Sequence, residues 1–225
     1  MSNGRFCMEL VRQYIAQMPA DIDVNGFCSG ITRLIGSEYE ACGTDLNRLK
    51  KNPTERMTAS AIIYSASRKE VWLVGDCQCI VGGTYYDNPK PLESVLANKR
   101  SAYLVKALNN GLSVSDIQEK DPGRAFILEE LIDSCRLQNV AYAVIDGFDI
   151  PSDKVKVVDA SCCMGDIILA SDGYPFLKKT LKESEEALSE QLNRDPLCIS
   201  GFKATKGLMK GNKSFDDRCY VRFTV

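Results

Sequence analysis

The sequence predicts an α+β fold built on antiparallel sheet. Strand-like runs occur as neighbours across short turns, and these runs alternate with pairs of amphipathic helical stretches. A third sign is the short apolar run Ile167–Ala170, which suits a strand buried on both faces.

Residues 5–18 place Phe6, Leu10, Val11, Tyr14, Ile15 and Met18 three and four apart, one face of a helix, after a Ser2-Asn3-Gly4 cap. A break at Ala20–Asn25 precedes a second helix over Gly26–Leu46, carrying Phe27, Ile31, Leu34 and Ile35, and Asn52-Pro53 marks a loop. Thr58–Ser65 and Glu70–Val74 flank the polar Ala66-Ser67-Arg68-Lys69, which predicts a hairpin. Gly75-Asp76 ends the second strand, and Cys77–Val81 resumes an extended run before Gly82-Gly83. Residues 84–92, with Pro89 and Pro91, read as irregular. Helical patterns follow at Leu92–Asn109, at Val114–Lys120 as a short piece, and at Arg124–Gln138. Ala141–Ile145 and Val155–Asp159 read as strands, with Asp146-Gly147 a turn between them. Gly165-Asp166 reads as a turn into the Ile167–Ala170 strand, Ser171-Asp172-Gly173 as its end and a helix start, and a helix runs from after Pro175 to Leu192. The last strand is Arg218–Val225.

Composition narrows the function. With 225 residues, 44% of them hydrophobic, the chain can bury a substantial core, and it reads as a single domain over 1–225. A formal net charge of -2 leaves no broad basic surface and argues against nucleic acid as a partner. No apolar run approaches the roughly 20 residues of a membrane span. SNGRFCMEL after Met1 has neither a basic nor an apolar signal region, so the expected setting is cytoplasmic. The ten cysteines form no C-x-x-C pair and are expected to be reduced and structural. The chain has no histidine, which removes Ser-His-Asp and Cys-His catalysis and His-ligated zinc. Chemistry must rest on carboxylates, lysines, arginines, hydroxyls or thiols.

Three motifs place carboxylates at strand ends: WLVGDCQCIVGG at 72–83, GDIILASDGYPFL at 165–177 and SFDDRCYVRFTV at 214–225. An aspartate in such a place, beside a glycine that admits close approach of backbone or ligand, suits a hard cation. The plain alternative for Asp172 is that it caps the following helix.

In this order and strand context the three motifs resemble the metal-dependent serine/threonine phosphatases of the 2C type, closest to their bacterial members. TASAIIYSASRKEVWLVGD matches the hairpin before the first motif, so the likeness extends along the whole chain. It implies an αββα sandwich with a two-metal Mg or Mn site, acting on a phosphoprotein or a small phosphoester. Asp172 and Asp216 match aspartates on one metal, and Asp76 lies on the Gly-Asp turn that serves an additional one. Gly173 and Asp217 adjoin the site, and Asp166 matches a position that is only a turn. Two cations about 3.5–4 Å apart on oxygen ligands activate a water and clamp a phosphoryl oxygen without histidine. The family's first strands, with a metal-bridging aspartate and a phosphate-gripping arginine, have no counterpart before the first helix. The expected domain is therefore N-terminally incomplete, through truncation more readily than decay, because Asp172 and Asp216 remain. Arg218 is the substitute phosphate contact, with pairing to a nearby carboxylate as its alternative.

A noncatalytic, partner-binding phosphatase-like module is the second reading. An N-terminal nucleophile hydrolase using Ser2 is a third, opposed by the placement of Ser2 at a helix cap. The lysines at 203–213 read as a solvated loop or as phosphate-steering groups.

Overall fold

The computed structural model describes residues 2–225. The chain opens with helix α1 (Asn3–Gln17), whose first turn is capped by Ser2, and α2 (Val24–Ala41), capped by Asp23 accepting the Gly26 N–H at 2.7 Å. Phe27, Ile31, Ile35 and Tyr39 recur every four residues along α2 and are all buried. The short α3 (Leu46–Lys51) leads to hairpin strands β1 (Ala61–Ser65) and β2 (Glu70–Val74), then β3 (Gln78–Val81) and β4 (Thr84–Asp87). Four helices follow: α4 (Glu93–Asn109), α5 (Val114–Glu119), α6 (Pro122–Phe126) and α7 (Leu128–Ser134). Strands β5 (Lys156–Asp159) and β6 (Asp166–Ala170), helix α8 (Leu181–Arg194) and strand β7 (Tyr220–Thr224) complete the chain.

Among the described residues the strands form two antiparallel sheets, in the orders β1-β2-β5 and β4-β3-β6-β7, so the fold is α+β. Period-two alternation divides their side chains between layers. Ala61, Ile63, Trp72 and Val74 face α1 and α2. Val71, Leu73 and Val158 of the first sheet face Cys79, Val81, Ile167 and Leu169 of the second, and Tyr64 meets Phe223 at 5.1 Å between ring centroids. The outer face of the second sheet, Ile80, Ile168 and Ala170, is covered by Tyr174 and Leu177.

Several predicted elements differ from those found. Residues 84–87, read as irregular, form β4: Gly82 and Gly83, with φ of 56° and 82°, make the tight turn that pairs Thr84–Asp87 with β3, and the prolines only follow it. Ala141–Ile145 is not a strand: its Tyr142–Ile145 part is buried and is joined to the fold by isolated bridges. A side chain takes over one of its backbone groups: Asn139 Oδ1 accepts the Val144 N–H at 2.9 Å, and the Asp146 carboxylate fixes that amide by accepting from Asn139 and from the Phe148 N–H beyond. The helix expected over 124–138 is broken into α6, α7 and a 3-10 turn. Asp166 is not a turn but the first residue of β6, bonded to Arg222 and Thr224 of β7. No helix starts at Gly173, so Asp172 is not a helix cap. Ser171–Lys179 is instead a loop held to the sheet by Gln78, whose amide donates to Ser171 O and Tyr174 O at 2.7 and 2.9 Å, and the capping box of Thr180 with Glu183 starts α8.

Candidate functional site

Strand register brings the three motif aspartates to one end of the second sheet. Gln78 of β3 pairs with Ala170 of β6, which pairs with Tyr220 of β7, and Gln78 also pairs with Asp87 of β4. Asp76 lies two residues before Gln78, Asp172 two after Ala170 and Asp216 four before Tyr220. All three line one cleft of about 380 Å³ with Lys90, Glu93 and Lys206.

Each aspartate has its own support. Gly75 has φ 94°, and a Cβ there would meet Ser60 Oγ at 2.2 Å, so only glycine turns the chain here. The turn carries Asp76 next to Ser60, which donates to Asp76 Oδ1 at 2.7 Å. Ser171 and Cys219 exchange hydrogen bonds that fix the start of the Asp172 loop against the Asp216–Cys219 segment. A Cβ on Gly173 would meet Asp217 O at 2.3 Å, so this glycine is needed for a close approach of backbone to backbone. Phe215, buried with Leu188 and Leu192 of α8, anchors Asp216.

Two lysines complete the cleft. Lys90, between Pro89 and Pro91, donates to Asp76 Oδ2, and Lys206 donates to Asp216 Oδ1, which also accepts the Asp217 N–H at 2.9 Å. Burial pushes the Asp76 carboxyl up, but Lys90 and Ser60 outweigh it and hold it below the usual range. For Lys90 the pull of Asp76 likewise overcomes burial and raises its value. Asp172 differs: among the described residues it accepts no side-chain hydrogen bond and joins no ion pair. The recessed setting, then the charges of Asp76 and Asp216, push its carboxyl up to about 7, while it keeps solvent contact in the cleft mouth. Glu93, in the first turn of α4, is raised by burial and by Asp76 and Asp216 against the pull of Lys90.

Arg218 lies beside the cleft and is committed elsewhere, gripping Glu185 of α8 through two bonds of 2.7 Å. Of the 203–213 lysines, Lys203 lines the cleft but bonds to Asn98, Lys210 bonds to Glu119, and Lys206 of these three bonds to a motif aspartate. Sequence reasoning did not find Lys90 or Glu93, and it offered Lys206 at the site only among the 203–213 lysines, as the alternative to a solvated loop. The rigid Pro-Lys-Pro step after β4 is the one local signal that could have singled out Lys90.

The residues present do not fit a two-metal centre as arranged. Both oxygens of Asp76 and one of Asp216 are engaged by protein donors. Among the described residues, no three His, Cys, Asp or Glu side chains are grouped so that they could hold a metal ion. No helix in the described residues is long and apolar enough to cross a membrane. Neither models of known protein families nor curated protein sequences match the chain.

Proposed function

We propose that this chain is a phosphatase 2C-like αββα domain that acts as a noncatalytic, partner-binding module. The observation that carries this reading is the pairing of Lys90 with Asp76 and of Lys206 with Asp216. Motif aspartates from three distant stretches meet in one cleft, as the resemblance leads one to expect, yet two of them are matched by ammonium groups. An ion that activates water needs open carboxylate oxygens, and both of those on Asp76 and one on Asp216 are already taken.

The second reading is a Mg- or Mn-dependent phosphatase acting on phosphoserine or phosphothreonine in a protein, or on a small phosphoester. Asp172 favours it: an unbonded carboxylate facing Asp76, Asp216 and Glu93 is an arrangement that a cation would relieve.

Titration of the chain with Mn by calorimetry, with p-nitrophenyl phosphate turnover measured in parallel, separates the two. The noncatalytic reading expects weak binding of at most one ion and no metal-dependent turnover. Turnover that requires metal and disappears in Asp172→Ala and Asp216→Ala replaces it with the hydrolase reading.

A further inference from the structure

We propose that Lys90 and Lys206 are resident counter-ions that keep divalent cations out of the cleft. This rests on reading the cleft as a phosphatase-like carboxylate site, and it assigns to two side chains the charge role that metal ions fill in such a site.

The placement of the lysines distinguishes them from mobile surface pairs, which contribute little. Pro89 and Pro91 fix the backbone on either side of Lys90, whose half-exposed side chain, 39% accessible, brings its ammonium onto the 9% exposed carboxylate of Asp76. Lys206 is tethered on its N-terminal side by two arginines: Arg124 donates to Thr205 O at 3.0 Å and the fully buried Arg100 donates to Ala204 O at 3.0 Å. On its C-terminal side Gly207 packs so closely against the Leu197 carbonyl that a Cβ would approach it to 2.8 Å. The backbone therefore delivers both ammonium groups into the cleft from rigid segments.

Charge completes the argument. Asp76, Asp172, Asp216 and Glu93 supply up to four negative charges, and Lys90 and Lys206 neutralise two of them in direct pairs. A divalent cation entering among these carboxylates would have to displace a tethered ammonium or sit a few ångströms from it. Removing one such positive charge strengthens divalent binding at least about tenfold, since unit charges a few ångströms apart near a protein surface interact by more than the value of one decade.

The test is calorimetric titration of Mn into the wild-type chain, Lys90→Met, Lys206→Met, the double variant and Lys90→Arg, with circular dichroism to confirm folding. Wild type and Lys90→Arg are expected to bind with a Kd on the order of 1 mM or weaker. Each Met variant is expected to bind at least about tenfold tighter, and the double variant tighter still. Equal affinity across all five overturns the proposal but leaves the noncatalytic reading standing if turnover is absent. Metal-dependent turnover by the wild type overturns both. Should a Met variant not fold, side-chain amine NMR of the wild type decides. Paramagnetic broadening of the Lys90 and Lys206 signals only at multi-millimolar Mn supports exclusion, and broadening at micromolar Mn overturns it.

Discussion

Asp172 is the residue at which the cleft is most sensitive to pH. Its carboxyl is raised from an ordinary value of 3.8 to about 7, by its recessed setting first and its acidic neighbours second. The folded chain therefore holds a proton there that the unfolded chain has already lost, so folding stability falls as pH rises through that window and stays lower above it. Asp172→Asn removes the effect. It is expected to raise the melting temperature at pH 8 by about 2 °C and to leave it unchanged near pH 4, a small shift because Asp172 keeps solvent contact. Thermal denaturation at the two pH values checks this, and equal melting temperatures of wild type and variant at pH 8 would refute it. Asp172, Asp76 and Asp216 were legible in the sequence because each follows or precedes a recognisable strand beside a glycine or a second aspartate. Lys90 and Glu93 were not, and Lys206 was only one of a run of lysines, because they come from connections whose course depends on packing remote in sequence. Arg218 was legible as a cation near the site, but not as the partner of Glu185, thirty-three residues away.

Among the elements, α4 does the most to build the cleft from outside the sheets. Its Arg100 is fully buried, bonds to Asp121 at the start of α6, and donates to the carbonyls of Leu197 and Ala204. One guanidinium thus joins two helices to the segment that carries Lys206. Replacing it by Met leaves Asp121 without its cation and two buried carbonyls without donors, which costs about 3–5 kcal/mol. Urea unfolding of Arg100→Met reads that loss, and a change below about 1 kcal/mol would show that the pair does not hold these elements together. Strongly periodic elements were readable at this scale: α1, α4 and the β1–β2 hairpin lie within a few residues of their predicted bounds, while α2 was read past its end at Ala41 into Leu46, which starts α3. Elements set by turn chemistry were not. The double-glycine turn into β4 was obscured by the prolines beyond it, and at 141–145, where the apolar pattern alone suggests a ladder, the Val144 N–H goes to the Asn139 side chain, which Asp146 holds in place.

For the whole molecule, the two sheets share one interior, and the cleft opens at one end of the second of them. Leu73, fully buried on β2, faces the second sheet, whereas its neighbour Trp72 faces α1 and α2 on the opposite side of the same strand. The α+β class and antiparallel pairing follow from local alternation, so they were readable. The split of strands between sheets was not: β2 and β3 are separated by only Gly75, Asp76 and Cys77 yet belong to different sheets, because the positive-φ turn at Gly75 carries the chain across. That crossing gives a direct expectation for cooperativity. Truncating Leu73 to Ala opens a cavity between the layers and costs about 2–5 kcal/mol. Trp72, the one tryptophan of the chain, reports on the helix-covered face of the first sheet, while far-ultraviolet circular dichroism reports on all elements. If the layers form one folding unit, both signals shift together in urea, in the wild type and in Leu73→Ala, with the same midpoint in each protein. A fluorescence transition that moves in the variant while the bulk of the circular dichroism stays in place would mean that the first sheet with α1 and α2 unfolds on its own, apart from the sheet that carries the cleft.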